Sequence, residues 1–340
     1  MVISILQEDS ANSLRGISLE LLAEKSVLIT GATGLIGTHL LSCLVLMQHS
    51  LGMSLTIHAI VHDSIPLHSR MLAETGKIHF HKADLGITGG MINVPQVDYI
   101  IHAATYGQPN LFVAQSELTL RLNTIGTFEL FSKLRANGKF LFISTSEIYS
   151  GLNETIFNET QVGNTTTDHP RSCYIEGKRC GEAICHNFRQ KGMDTKIARL
   201  SLAYGPGTRL GDNRVLNSII ERGLRNKEIH LLDRGMAERT YCYAADAIHM
   251  MWNILLNGTK STYNVGGVSN TTIAELALES GRLLGVPVIF PKSDQKSLAG
   301  APNNVRLYLT LYESEFGAVN FLPLRSGLER TVSWYRQLLT

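Results

Sequence analysis

The stretch KSVLITGATGLIGTHLLSCLVLM, residues 25–47, decides the fold. Its first six residues form a short apolar run of β type, its middle carries Gly31, Gly34 and Gly37 in a GxxGxxG spacing, and its last ten are apolar at helical length. Glycine is required where a chain turns tightly, where backbone must approach a pyrophosphate, and where a helix packs closely on a strand. The helix N-terminus that follows offers unpaired N–H groups to phosphate oxygens. Taken alone, a glycine triplet fits a plain turn equally well. Set between a strand and a helix, it predicts a dinucleotide site built from Gly31, Thr33, Gly34, Leu35, Ile36 and Gly37.

Further strand-like runs follow at LTIHAIV (55–61), KIHF (77–80), VDYIIHAA (97–104) and KFLFIST (139–145), with helical stretches between them, notably 114–136. Strands that are apolar throughout and alternate with helices predict a parallel sheet covered on both faces. The fold class is therefore α/β, a doubly wound parallel sheet of Rossmann type. Beyond Gly205-Pro206-Gly207 the alternation weakens, as expected of a smaller mixed α/β lobe closing over the sheet. This reading divides the chain into an N-terminal polar leader (1–24), a dinucleotide-binding domain (25–203, with 238–268 returning to it) and a substrate lobe (204–237 and 269–340). The Asn/Thr-rich segment 150–170 is long enough to be a functional loop.

Bulk composition narrows the function. With 44% hydrophobic and 18% charged residues over 340, the chain reads as a soluble globular protein with length enough for a large core. A net charge of +2 without a dense Lys/Arg stripe argues against nucleic-acid binding. No segment reaches roughly 18 uncharged apolar residues, and the opening MVISILQEDSANSLRG lacks the features of a secretory signal, so the expected location is cytoplasmic, with no membrane partner. Cys43, Cys173, Cys180, Cys185 and Cys242 are odd in number and contain no CxxC, which predicts free thiols. His79 and His81 alternate on one strand without an evident third ligand, so no metal is expected.

The second strand closes on Val61-His62, with Asp63 one step further. An acid there would take a ribose 2′-hydroxyl, and no arginine stands ready for a 2′-phosphate, which favours NAD over NADP. Asp84, after the third strand, is a candidate for the adenine amino group or a solvated turn acid, with Leu85 beside it; Ala103 and Ala104 close the fourth strand against the cofactor. In RSCYIEGKRC (171–180), Tyr174 and Lys178 are four residues apart and share a helix face. A neighbouring ammonium lowers a phenol from its usual value near 10 by about 1–3 units, which would make Tyr174 a base near neutral pH.

These motifs, with IIHAAT (100–105), NTIGT (123–127), STSEIY (144–149), RLSLAYGP (199–206) and YNVGG (263–267), resemble the extended short-chain dehydrogenase/reductase family of sugar-nucleotide epimerases, dehydratases and decarboxylases, from about residue 25 to 335. The resemblance implies a catalytic set of Thr145, Tyr174 and Lys178, the last also a cofactor contact, and a homodimer joined through the helices around 114–136 and 173–190. Thr145-Ser146-Glu147 and RSCYIEGKR are most similar to the UDP-glucuronate decarboxylase (UDP-xylose synthase) branch. That branch implies Ser146 and Glu147 as catalytic partners, Arg214 and Arg239 as substrate contacts, a UDP-sugar as substrate and NAD as bound hydride carrier. Three positions depart from the pattern: Leu202 and Leu111 replace an Asn and a Tyr, and Ile175 replaces an Asp. They keep 4-epimerase and 4,6-dehydratase or reductase chemistry open, as well as a non-catalytic dinucleotide-binding regulator. His102, Asn123, Cys173 and Cys180 are read as packing residues, and Arg179 as a surface or dimer-face charge.

Overall fold

The computed structural model describes residues 2–62, 64–292 and 306–339. The decisive stretch forms strand β1 (Lys25–Thr30), buried at every position but the first, and helix α2 (Leu35–His49). Alternate residues of β1 feed opposite cores, Val27 and Ile29 on one face of the sheet and Leu28 on the other. Strands buried on both faces account for the unbroken apolar run.

With β2 (Leu55–Val61), β3 (Ile78–Lys82), β4 (Val97–His102) and β5 (Leu134–Thr145), β1 belongs to a seven-stranded sheet. The order is Thr262–Val265, Asp194–Leu200, β5, β4, β1, β2, β3, and all neighbours run parallel. Successive crossovers leave β1 in opposite directions, so the switch point lies between β1 and β4. Crevices at such points, outside the carboxyl ends of the strands, receive ligands.

The helical stretch expected over 114–136 is interrupted. After α3 (Leu67–Thr75), the chain forms α4 (Pro109–Ala114), α5 (Ser116–Asn123) and α6 (Ile125–Phe131), then enters β5 at Leu134. Thr124 separates α5 from α6 with φ −112° and ψ −77°. Helix α7 (Ser172–Gln190) carries the Tyr-Lys pair and packs on α5 and β5. Inside the sheet's end, Arg199 is buried and bonds Glu182 of α7 at 2.8 Å, the Tyr149 hydroxyl at 3.0 Å, and the carbonyls of Glu159 and Gln161. Glu182 also accepts from Ser144 of β5 at 2.5 Å.

The remaining residues build a third core around Trp334 and Tyr335, from helices Val215–Asn226, Ile273–Leu284 and Leu324–Leu339 and short strand pairs. Helix Ile273–Leu284 opens on a capping box between Thr272 and Glu275. Among the described residues no helix is long and apolar enough to cross a membrane, and the five cysteines are free.

Two expectations need correction. Pairing of β2 with β3 sets His58 opposite His79 and brings its Nδ1 2.9 Å from His81 Nε2, so a third histidine is nearby after all. Among the described residues, however, no group of three such side chains is arranged to hold a metal ion. The expected polar leader contains helix α1 (Val2–Ser13), whose polar residues turn inward. Ser10 bonds Ser42 of α2 at 2.7 Å, Ser13 donates to the Ala245 carbonyl at 2.8 Å, and buried Asp9 accepts from the Tyr243 hydroxyl at 2.8 Å and pairs with Arg330 at 2.9 Å.

Removing the Asp9 carboxylate leaves the buried Tyr243 hydroxyl without its acceptor, while Arg330 keeps its ion pair with Glu8 at 3.0 Å. Asp9→Ala is expected to destabilise the fold by about 1–3 kcal/mol in chemical denaturation. A loss within about 0.5 kcal/mol, the usual surface value, would show α1 to be dispensable.

Candidate active site

A cavity of about 930 Å³ opens at the carboxyl ends of the central strands. Its first wall is the turn between β1 and α2. Gly31 sits at φ +64°, and a Cβ there would lie 2.6 Å from the Ala103 carbonyl oxygen; a Cβ on Gly37 would lie 2.2 Å from the Gly31 oxygen. Only hydrogen fits at either position. This close approach sets the glycine turn against the end of β4, so Gly31, Thr33, Gly34, Leu35, Ile36 and Gly37 share the cavity with Ala103 and Ala104. Thr30 fixes that junction, accepting from the Ala104 N–H at 3.1 Å and bonding His102 at 2.7 Å. Gly34 caps α2 without a side-chain hydrogen bond, leaving the first turn's N–H groups for an anion. The cradle fits a dinucleotide pyrophosphate.

Asp84 and Leu85 line the same cavity. Asp84 spends one carboxylate oxygen on the Gly86 N–H at 2.8 Å. Asp63 lies outside the described residues, while His62 reaches the cavity wall.

The side chains expected to react arrive from two elements. Strand β5 ends at Thr145, whose hydroxyl accepts from the Glu147 N–H at 3.2 Å and caps the short helix Ser146–Tyr149. Helix α7 supplies Tyr174 and Lys178, which line the cavity together with Thr145, Ser146 and Glu147. Lys178 donates to the Ile143 carbonyl at 2.6 Å and lies 4.6 Å from the centre of the Phe142 ring. Burial holds its ammonium down at about 7. Tyr174 departs from the expected depressed phenol. Burial first, and then the negative charge of Glu147, push it up to about 12, with a hydrogen bond from Thr145 pulling the other way. Sharing a helix face did not bring the ammonium onto the phenol, because Lys178 reaches back to β5.

Glu147 is paired with Arg171, and its second oxygen, like Arg171 Nε, is buried without a hydrogen-bond partner. Burial raises the Glu147 pKa, opposed by Arg171 and, more weakly, Arg239. Arg214 lines the cavity, but its guanidinium is engaged by Asp212 at 2.6 and 3.0 Å rather than standing open. Arg239 donates to the carbonyl of Glu238 at 2.7 Å and also faces the cavity.

Leu202 and Leu111 present apolar surface to the cavity, whereas Ile175 is fully buried in packing. Asn123 ties Thr105 to α5 through bonds of 3.1 Å to its hydroxyl and 2.7 Å to the Thr119 carbonyl. His102 is buried at the end of β4, Cys173 donates to the Phe112 carbonyl at 3.3 Å, and Cys180 is exposed. Arg179 is not a free surface charge: it donates to the carbonyls of Ile148 and Gly163, bracing the segment after β5. Sequence reasoning passed over Arg171, although it stands inside the quoted RSCY motif. It also gave no role to Arg209, which donates to the Thr33 carbonyl at 3.0 Å, or to Phe112, buried against Tyr174.

The profile of the NAD dependent epimerase/dehydratase family matches residues 27–266. UDP-glucuronic acid decarboxylase 1 of Xenopus tropicalis is 26% identical over 328 residues, covering 93% of this chain and 73% of that protein. UDP-glucuronic acid decarboxylase 6 of Arabidopsis thaliana is 29% identical over 255 residues, covering 74% of this chain and 72% of that one. Among solved structures, the UDP-glucose 4-epimerase of Thermotoga maritima superposes with a TM-score of 0.78 at 22% identity, covering 93% of this chain and 100% of its own.

Gly31→Ala would force a side chain into the Ala103 backbone at positive φ. Strain of roughly 1–3 kcal/mol is expected to weaken dinucleotide binding about tenfold or more, read by titration calorimetry. Unchanged affinity would remove this turn from the cofactor site.

Proposed function

We propose that this chain, which belongs to the NAD dependent epimerase/dehydratase family, decarboxylates a UDP-glucuronate-like nucleotide sugar through transient oxidation at C4. The observation that carries this reading is the placement of Glu147, half-buried, paired with Arg171 and close enough to Tyr174 to raise its pKa. The decarboxylase relatives support the same choice.

In this mechanism Tyr174 takes the proton of the sugar 4-hydroxyl in its ionised form, which the Thr145 hydrogen bond and the charges of Arg171 and Arg214 favour against burial. NAD, when bound in the glycine cradle, supplies a reversible hydride acceptor at C4. The resulting 4-ketone is β to the C6 carboxylate, so the C5–C6 bond breaks, CO₂ leaves, and its bonding electrons form a C4–C5 enolate. Thr145 and Tyr174 stand at the enolate oxygen. Arg171 compensates the charge of Glu147, which lets a second carboxylate approach, and Glu147 with Ser146 orients that carboxylate and a water so that the C5–C6 bond aligns with the ketone; C5 then takes a proton from the water, and the C4 ketone takes back the hydride and the Tyr174 proton. Lys178 stays buried behind the phenol, against Ile143. Arg214 and Arg239 serve the nucleotide diphosphate, Arg214 oriented by Asp212. In this reading residues 25–203 with 238–268 hold the cofactor, and 204–237 with 269–340 hold the nucleotide sugar.

Leu202 and Leu111 favour 4-epimerase chemistry as the second reading, because they offer the sugar no hydrogen bond. The two separate on substrate. Wild-type enzyme given UDP-glucuronate is expected to release CO₂, and Glu147→Gln to release it on the order of 10²-fold more slowly while the 4-keto acid accumulates, followed by mass spectrometry. Epimerisation of neutral UDP-sugars with uronates untouched would replace the decarboxylase reading.

The assembly we infer is a cytoplasmic homodimer. Val113, Leu120 and Phe128 are exposed on α4, α5 and α6 beside α7, apolar surface suited to a second copy, and five free cysteines suit a reducing compartment. Light scattering at micromolar concentration is expected to give twice the chain mass. A monomer there, or an unchanged dimer in Phe128→Glu, would refute this surface.

A further inference from the structure

Phe112 belongs to α4, is 1% exposed, and lies parallel to the Tyr174 ring, with centroids 4.5 Å apart and planes 7° from coplanar. The Arg171 guanidinium, which pairs with Glu147, stands 5.2 Å from the centre of the same ring. The Phe112 backbone is also held, its carbonyl accepting from Cys173 Sγ and from the Thr119 hydroxyl, both at 3.3 Å. One aromatic ring therefore touches the catalytic phenol and the arginine of the catalytic carboxylate. It is anchored through its own main chain to α5 and to the first turn of α7.

We propose that Phe112 is a positioning residue: it holds the Tyr174 ring in the plane that points the phenol at Thr145 and at the reacting carbon, and keeps Arg171 in place beside Glu147. A phenol on a helix has two soft side-chain torsions. The rotamer at χ1 is set by the backbone, but the orientation of the ring is broad unless a neighbour restricts it. A flat ring stacked in parallel supplies that restriction. Proton transfer is sensitive to the result, since a displacement of about 1 Å costs on the order of 10²-fold in rate. Phe112 makes no proton transfer itself. It shields one face of Tyr174 from water.

This inference rests on the reading in which Tyr174 moves the proton, and the test separates the two. Steady-state kinetics with UDP-glucuronate are measured for wild type, Phe112→Leu, Phe112→Tyr, Tyr174→Phe and the double variant Phe112→Leu/Tyr174→Phe. Phe112→Leu is expected to lower kcat about tenfold or more, with KM moving less than about threefold, and to move the ionising limb of the kcat–pH profile to lower pH as water reaches the phenol. Phe112→Tyr, which keeps the ring, is expected to restore kcat to within about threefold of wild type. In the Tyr174→Phe background, Phe112→Leu is expected to cost much less than in wild type, because the larger part of the effect acts through the phenol and only the contact with Arg171 remains. Wild-type kcat and pH profile in Phe112→Leu, or an equal loss in both backgrounds, would overturn the proposal and leave Phe112 as packing. If Phe112→Leu does not fold, Phe112→Met carries the same comparison. Wild-type turnover by Tyr174→Phe would instead overturn the role of Tyr174 itself.

Discussion

The buried guanidinium of Arg199 ties together the parts that have to meet at the cavity. Through Glu182 it fixes α7, and Glu182 in turn holds Ser144 at the end of β5. Through Tyr149 and the carbonyls of Glu159 and Gln161 it fixes the short helix after β5 and the segment that follows. Tyr149 passes the constraint on to Asn264 in the last strand of the sheet, at 2.7 Å. A charge in this position is tolerated because each of its three nitrogens is hydrogen-bonded and Glu182 supplies the opposite charge. Thr145 on β5 and Tyr174 on α7 have no covalent relation, and their relative position follows from this junction.

The electrostatics of the cavity oppose ionisation. Burial raises Tyr174 and Glu147 and lowers Lys178. Burial thus disfavours the charged form of each group, and a group with little hydration can exchange a proton with a substrate without first shedding a water shell. Arg171 tempers the effect at both Glu147 and Tyr174, and Arg239 adds to it at Glu147.

The sheet was legible because its constraints are local. Gly31 and Gly37 occupy positions where a single added carbon collides with backbone, and the strands on either side are apolar because both faces are covered. The Tyr174–Lys178 spacing placed both side chains on the cavity wall correctly, but spacing alone says nothing about where a long flexible ammonium finds its partner, and Lys178 chose a carbonyl on β5. Arg214 likewise reached the cavity already paired, with an acid two residues away whose effect depends on loop conformation. Phe112 left no periodic or charged signature, since a buried aromatic beside a catalytic ring reads as ordinary core. The inward polar face of α1 was illegible for a different reason. Asp9 and Ser10 look solvated until Tyr243, Arg330 and Ser42 are brought beside them from distant parts of the chain.

That last arrangement sets a schedule for synthesis. Asp9 leaves the ribosome well before either partner: Tyr243 lies 234 residues further along, and Arg330 later still. At roughly 5–20 residues per second, the helix waits on the order of tens of seconds before its buried carboxylate has a counter-charge. Throughout that interval the glycine turn, β1 and α2 can assemble from neighbouring residues, but the surface that α1 finally covers stays open. Helix α1 thus stays unsatisfied until Tyr243 and Arg330 have both been made, and Arg330 cannot close onto Asp9 before the residues between them exist.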